Sequence, residues 1–473
     1  MKMPSPRIRH TCAAAIAVGL LSACAPLPRP LPQDAEVSLP ARWTRTAQEA
    51  SRSQPPSAAI ETGWWRQLGD TELDALVAQA LAHNSDLGAA MARVEQARAN
   101  FASAEAAAWP SLNASAGVQA GRNAGAAGMA LTRSTQAGLQ ASWEPDLWQR
   151  ITQQSQAAAQ RLQASQADRD AVALAVTAST VRGYIDLRAL QAQREIAVRT
   201  VQSRRQSLAL AQEQRRVGYI SQWQLTQAEA ELEGVQQQVA QLDGAIQQQL
   251  SALGVLLGQP GLQLPPAGGG EGLQALQLLP VPDSLPSQLL ERRADIASAR
   301  HLLLAADHSL EAQRAAFLPQ VQLSASAGSL LVNSLDYNPA TLWSLGGSLL
   351  APLFDAGRRQ AQFDAATAQR DQAAWAYRHA VLSAFADVET ALTGSVQLAR
   401  QMDHALRRRD VLQRSLAHAH ERYLAGYASY LEELDAQRNL FQAELAVVQL
   451  YQAQLSNRVA LYQALGGGWS AQP

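Results

Sequence analysis

The sequence predicts a mainly α-helical protein with a small β part, built as a tandem duplication of one strand, strand, long helix, helix unit. Residues 145–258 are echoed by residues 352–466, so that Gly218-Tyr219 returns as Gly426-Tyr427, 208 positions later. Apolar residues recur at strict sevens in both halves, and four stretches alternate apolar with polar or small residues. These observations indicate two halves related by a pseudo-two-fold axis, because a period this long is not that of a solenoid.

The N-terminus has the pattern of a secretory signal with a lipoprotein cleavage site. Its basic residues are Lys2, Arg7 and Arg9. An apolar stretch follows, and small residues then lead to Cys24. We therefore expect residues 1–23 to be removed and Cys24 to become the lipidated first residue, with palmitate among its acyl chains. The residue after Cys24 is Ala25 and not Asp, which in Gram-negative lipoproteins favours sorting to the outer membrane.

The segment after Cys24 differs in composition from the rest of the chain. Residues 24–62 are rich in proline and lack periodicity, which predicts an extended tether between the lipid and the folded body. Cys12 lies inside the removed signal, so the mature chain has no thiol for a disulfide or a thiolate metal site. The duplication then assigns residues 63–258 to the first repeat and 285–466 to the second. The remaining segments are the linker 259–284 and the C-terminal tail 467–473.

Each repeat contains a pair of predicted strands, at about 111–144 and about 320–352. Apolar residues alternate at period two within them, which resembles transmembrane β-strands, although a soluble hairpin explains any one stretch about as well. Aromatic residues near the strand ends suggest an interfacial girdle: Trp109, Trp143, Trp148, Phe317, Trp343 and Phe354. Recurrence at equivalent places in the two repeats favours the membrane interpretation.

Each repeat also contains a long helix, from Asp146 to about Gln214 and from Asp355 to about Tyr423. At 1.5 Å per residue such a helix spans roughly 100 Å, which suits a tube or stalk better than a compact domain. The helices that follow carry sustained heptads, which predict left-handed supercoiling. The heptad positions are Leu225, Leu232, Val239, Ile246 and Leu253, then Leu434, Phe441, Val448, Leu455 and Tyr462.

Four strands cannot close a transmembrane barrel, and an open strand edge cannot face lipid. The chain must therefore assemble with copies of itself. Two copies would supply eight strands with a filled interior, whereas three would supply twelve and leave a lumen.

Composition and spacing exclude several other classes. The net charge of −1 offers no basic field for nucleic acid. No histidine pair has a zinc-ligand spacing, and no phosphate loop or nucleophile elbow is present. We therefore expect no catalytic site, no cofactor and no metal site.

Several motifs, in order, resemble one family. They are Trp64-Trp65, Gly69-Asp70, residues 289–293 (LLERR), 315–319 (AAFLP), 355–359 (DAGRR) and 464–469 (ALGGGW). The chain is similar to the TolC-like outer-membrane factors, in their lipoprotein (NodT-type) branch serving resistance-nodulation-division efflux systems. Ala294 stands where relatives usually carry Pro, and Ala356 where they usually carry Gly, which puts the local turn geometry in question.

The resemblance implies a homotrimer with a 12-stranded barrel in the outer membrane and an α-helical tunnel in the periplasm. The chain would be a passive gated conduit for drugs, metals or other small molecules. Its partners would be a periplasmic adaptor protein, an inner-membrane pump and outer-membrane lipid. Two alternatives stay open: a conduit for type I protein secretion, and a lipidated periplasmic adaptor.

The resemblance also implies a periplasmic gate next to the turn at residues 425–427. Leu431 matches an apolar constriction in relatives, Glu432 and Asp435 match acidic rings, and Tyr423 matches a residue that tethers neighbouring helices. An alternative is that the two acids only favour a helix N-terminus. The first-repeat counterparts are Trp223, Gln224 and Gln227, and we expect Trp223 to pack between helices.

Overall fold

The computed structural model describes residues 30–32, 35, 43, 60–125, 128–265, 272–282, 289–332 and 339–469. Its first half contains α1 (Thr71–His83), α2 (Ser85–Ala106), β1 (Ser111–Gly125), β2 (Gly128–Trp143), α3 (Arg150–Arg216) and α4 (Gln222–Leu256). Its second half contains α5 (Leu289–Arg292), α6 (Ala294–Ala315), β3 (Gln320–Val332), β4 (Ala340–Leu350), α7 (Arg358–Leu424) and α8 (Tyr430–Ala464). Short 3₁₀ helices lie at Trp64–Leu68 and Leu273–Ala275. The long helices α3 and α7 have 67 residues each, and α4 and α8 have 35 each.

Both long helices begin later than the sequence suggested. The Asp146 carboxylate accepts hydrogen bonds from the backbone N–H groups of Ile151 (3.0 Å) and Thr152 (2.7 Å), so it lies outside the helix as a cap. Gln149 then adopts a left-handed φ of 61° before α3 starts at Arg150.

The second long helix begins in the same way. Ala356 has a φ of 55° just before α7. The turn adopts this left-handed conformation although its residue carries a Cβ, which makes it a strained site.

The turns that join each long helix to its partner have the same construction. Gly218 (φ 85°) and Gly426 (φ 78°) end the preceding helices in the left-handed conformation, for which glycine pays no steric penalty. Ser221 and Ser429 then form capping boxes with Gln224 and Glu432. The duplication therefore extends to the hydrogen bonds of the turns.

The strands form one antiparallel sheet in the order β1-β2-β3-β4. The pairing of β2 with β3 joins the two repeats, with Trp143 opposite Leu323 and Ser134 opposite Val332. Residues paired across strands share a face, so one face is mostly apolar and the other is polar and rich in serine, glutamine and glycine. Within the described part of the chain, β1 and β4 are the edges of this sheet.

The chain divides into two compact units, each of which has its own core. Among the described residues, one unit contains 30–32, 35, 93–125, 128–166, 298–332 and 339–379, and the other contains 43, 60–92, 167–265, 272–282, 289–297 and 380–469. The heptad residues Leu253, Leu434, Leu455 and Tyr462 are fully buried in the second unit, which confirms the predicted apolar seam.

The few described residues of the predicted tether do not stand free. The Pro30 carbonyl accepts a hydrogen bond from Arg370 (3.2 Å). Trp43 is buried, with its ring stacked on Phe385 at 5.2 Å between centroids. The segment therefore contacts the folded body at these points. A free tether would leave its aromatic ring in solvent, whereas the Trp43 ring is packed against the body.

Among the helices that the structure describes, none combines the length and the apolar character that crossing a bilayer requires.

Candidate functional site

The turn between α7 and α8 brings the predicted gate residues together on the first turns of α8. Leu431 is 41% exposed, and the Asp435 carboxylate is exposed, with Arg438 at 3.4 Å. Glu432 has a second role, because its side chain accepts a hydrogen bond from the Ser429 backbone (3.4 Å) and completes the capping box. Leu431 and Asp435 are thus available at the surface of this chain, whereas Glu432 is partly engaged in the cap.

Tyr423 joins the two helical hairpins within one chain. Its hydroxyl donates a hydrogen bond to the Gln214 side chain (2.7 Å), near the end of α3. Its ring lies 5.9 Å from that of Tyr430, and burial raises the pKa of both phenols. Since α3 belongs to the first repeat and α7 to the second, the bond ties the repeats together next to the turns.

The sequence analysis did not predict a cluster of charged side chains below the turn. Arg204 in α3 has a side chain only 2% exposed and lies 3.8 Å from the carboxylate of Glu231 in α4. Glu231 also accepts from Arg438 in α8, with Nε at 3.0 Å. Burial lowers the pKa of Arg204, and the bond to Glu231 raises the pKa of Arg438. One carboxylate therefore serves two guanidiniums from different repeats.

Glu433 was missed as well. Its buried carboxylate accepts a hydrogen bond from Gln437 (3.1 Å) and lies 2.8 Å from His420 Nδ1. Its counterpart 208 positions earlier is Leu225, which packs on the apolar cluster near the first turn. Comparing the repeats position by position would have marked this charge as a departure from an apolar site.

The first-repeat counterparts of the gate differ in chemistry. Gln224 provides the capping-box side chain without a charge. Trp223 is 57% exposed, so the expectation that it packs between helices was wrong for the single chain. It lies on the first turn of α4, where the turn leaves its side chain outside the heptad seam.

Two of the predicted girdle residues fasten strand ends to their surroundings. The Trp143 indole donates to the Ala108 carbonyl (2.9 Å), and the Trp148 indole donates to the Pro319 carbonyl (2.7 Å). Trp109 and Phe354 are strongly exposed near the same ends of the strands. An apolar ring with a satisfied polar group is typical of a membrane interface.

The other two aromatic residues differ from this arrangement. Phe317 is half-buried, edge-on to Phe363 (centroids 6.3 Å apart), and packs on the Leu310 cluster. It therefore packs against α7, and its place in an interfacial girdle stays a prediction. Trp343 is exposed but lies within β4, opposite Ala327.

Cys24, the predicted lipidation site, lies outside the described residues. In the part of the chain that is described, no three His, Cys, Asp or Glu side chains are grouped to hold a metal ion.

Duplicated helical hairpins joined to a two-faced antiparallel sheet define a channel-forming class of protein. A model of the outer membrane efflux protein family matches the chain twice, over residues 76–259 and 285–467. The chain belongs to this family.

Individual relatives cover nearly the whole chain. The pyoverdine export outer membrane protein OpmQ of Pseudomonas aeruginosa is 35% identical, over 96% of this chain and 95% of its own length. The cation efflux system protein CusC of Escherichia coli O6:H1 is 34% identical, over 86% and 88%. The solved outer-membrane channel OprN has a TM-score of 0.83 at 28% identity, over 94% of this chain and 99% of its own.

These comparisons confirm the family, the fold class and the location in the outer membrane. The protein is an outer-membrane channel component of an efflux system. The adaptor alternative is not supported, because both halves of the chain match the channel family. The type I secretion alternative stays a prediction.

Proposed function

We propose that the protein is a passive conduit whose periplasmic end is gated at the α7–α8 turn. Leu431 forms the apolar constriction, and Asp435, assisted by Glu432, forms acidic rings in a homotrimer. The observation that carries the proposal is the contrast between two turns with the same caps. Only the second turn combines an exposed leucine with carboxylates, whereas the first has Trp223, Gln224 and Gln227.

Three copies close the conduit. The edges β1 and β4 leave backbone groups that lipid cannot satisfy, so each edge needs the edge of another copy. Twelve strands leave a lumen, whereas the interior of eight is filled by side chains. The lipid on Cys24 is a second anchor in the same membrane.

The partners act at the turns. Val217, Tyr219, Leu424 and Tyr427 are exposed large side chains at the two turns of the chain. Exposed apolar groups gathered in one place are typical of an interaction surface, so we assign this one to a periplasmic adaptor protein that links the conduit to an inner-membrane pump. The pump supplies the energy, and this chain performs no catalysis. The relatives are named for different cargoes, pyoverdine and cations, so their names leave the cargo open.

The test is single-channel conductance in planar bilayers. Leu431→Ala with Asp435→Ala widens the constriction and removes carboxylates, so conductance rises and cation preference falls. Glu432→Gln removes charge but keeps a capping side chain, as Gln224 does in the first turn, so cation preference falls while the closed conductance stays low.

The matched control is the double variant of the first-repeat counterparts, Trp223→Ala with Gln227→Ala, which leaves both conductance and selectivity close to wild type. Unchanged conductance in the Leu431 and Asp435 double variant, with trimer and insertion intact, would place the constriction elsewhere. A stable monomer that conducts ions would contradict the trimer.

A further inference from the structure

The first helical hairpin, α3 and α4, has a groove that another helix of the same chain fills. Ala197 of α3 and Val235 and Leu242 of α4 belong to one buried apolar cluster in this α3–α4 groove. The ring of Phe441, which comes from α8, packs against that cluster. A helix of the second hairpin therefore lies in the groove of the first.

The second hairpin has the equivalent groove, which we call the α7–α8 groove. It has a volume of about 390 Å³, and its lining includes Ala405, Ala443 and Leu450. These residues are the counterparts, 208 positions later, of the three apolar residues in the α3–α4 groove. Among the described residues only α7 and α8 line it, so no third helix of this chain fills it.

The helix that corresponds to α8 in the first hairpin is α4. Tyr430 and Leu434 of α8 belong to the cluster at the first turn, and Phe441 lies in the α3–α4 groove, so one face of α8 covers the first hairpin. The α4 counterparts of these three residues are exposed in the single chain: Gln222, Thr226 and Glu233. In a closed ring of copies the two hairpins alternate, so α4 of one copy meets the α7–α8 groove of the next.

The two faces that would meet between copies carry opposite charges. Glu233 stands where the second repeat has Phe441, and Glu229 lies one turn before it on the same face of α4. Arg408 lines the α7–α8 groove, where the first repeat has Thr200. All three charged side chains are exposed, and no described residue of the chain pairs with them. An acid therefore replaces the aromatic ring, and the groove gains a base.

We propose that the α7–α8 groove of each copy seats α4 of the neighbouring copy, with Arg408 paired to Glu229 and Glu233 of that copy. The two carboxylates are one helical turn apart, so either of them alone can hold the guanidinium. The contact between hairpins is then apolar within one copy and ionic between copies. Because salt screens ion pairs at exposed sites, the contacts between copies loosen first as the salt concentration rises.

The inference rests on the proposed homotrimer and adds which helical surfaces meet in it. Light scattering counts the chains per particle without reference to any helix contact. A trimer that lacks the predicted contact therefore counts against the groove assignment alone, whereas a monomer counts against the proposed function.

The first experiment is cross-linking of the full-length protein in detergent with a short bismaleimide. Arg408→Cys with Glu233→Cys gives covalent dimers and trimers on a denaturing gel. The matched control is Thr200→Cys with Glu233→Cys, which moves the first cysteine to the equivalent position of the first hairpin and gives no product between chains. Wild type measures any background from Cys24. Monomers alone from the first pair, in protein that light scattering shows to be trimeric, would overturn the proposal.

The second experiment measures subunit exchange between labelled and unlabelled trimers. Arg408→Glu speeds exchange by roughly fivefold for each contact, since an exposed ion pair contributes up to about that factor. Adding Glu229→Lys and Glu233→Lys restores a rate near wild type, because opposite charges meet again. Arg414→Glu, at an exposed arginine of α7 outside the groove lining, is the control and leaves the rate unchanged.

Two outcomes of the exchange measurement would contradict the ion pair. One is an unchanged rate in Arg408→Glu, and the other is a faster rate that the two lysines do not reverse. If Arg408→Glu does not assemble, recovery of the trimer by the lysines supports the pairing, and the cysteine pair decides the question independently.

Discussion

Replacing Glu231 by Gln tests whether the buried charge cluster holds the two repeats together near the gate. The substitution keeps the shape of the side chain but leaves Arg204, 2% exposed, without the carboxylate at 3.8 Å. Removing one partner of a buried pair costs about 3–5 kcal/mol. Arg438 is 42% exposed and Glu433 lies near Arg204, so solvent and a second carboxylate offset part of this cost. We therefore expect the free energy of local opening to fall by about 2–3 kcal/mol.

The assay is amide hydrogen exchange in α4 and the start of α8, where this loss corresponds to roughly 30- to 160-fold faster exchange. Glu233→Gln, an exposed glutamate two residues further on, is the control and leaves exchange unchanged. Adding Arg204→Met to the Glu231 variant removes the uncompensated charge and recovers more than half of the loss. Exchange within threefold of wild type in both helices would refute the reasoning.

Two further predictions concern tyrosines. Tyr423→Phe removes the 2.7 Å hydrogen bond to Gln214, which contributes about 0.5–1.5 kcal/mol to the closed state. The fraction of open channels in planar bilayers should therefore rise roughly two- to twelvefold. An unaltered open fraction would show that this bond does not hold the gate closed. Burial raises the pKa of Tyr462 to about 12, so the folded state keeps a proton that the unfolded state loses near pH 10. Stability is therefore full below pH 10 and falls as the pH rises to 12, by up to about 2.7 kcal/mol. Urea unfolding at pH 9 and 12 should show a smaller loss in Tyr462→Phe, and equal losses would contradict the assignment.

The sequence was most informative where the signal is local. Heptad spacing identified which face of α4 and α8 is buried, since a periodic apolar row reports burial directly. Alternation at period two located all four strands, with ends within a few residues of those observed. The helix starts were less accurate, because the Asp146 cap resembles the beginning of the helix in composition and differs only in backbone conformation.

Features that depend on contacts between residues far apart in the chain could not be predicted from the sequence. Phe317 follows a helix and precedes a strand, and nothing in the sequence indicates its edge-on contact with the distant Phe363. Glu231 and Arg438 are about 200 positions apart, so no periodicity relates them. Trp223 was expected to pack between helices, but its position on the first turn of α4 leaves it exposed in the single chain.

The two repeats separate scaffold from function. Helix lengths, left-handed glycines and serine caps are the same at both turns, so the duplicated features fix the geometry. The charges depart from the duplication. Glu433 stands where the first repeat has Leu225, and Asp435 stands where it has Gln227. Within the strand residues that the structure describes, arginine occurs only in β1 and β2. A substitution at a position where the two turns agree should therefore disturb folding, whereas one at a gate position where they differ should disturb gating while the fold survives.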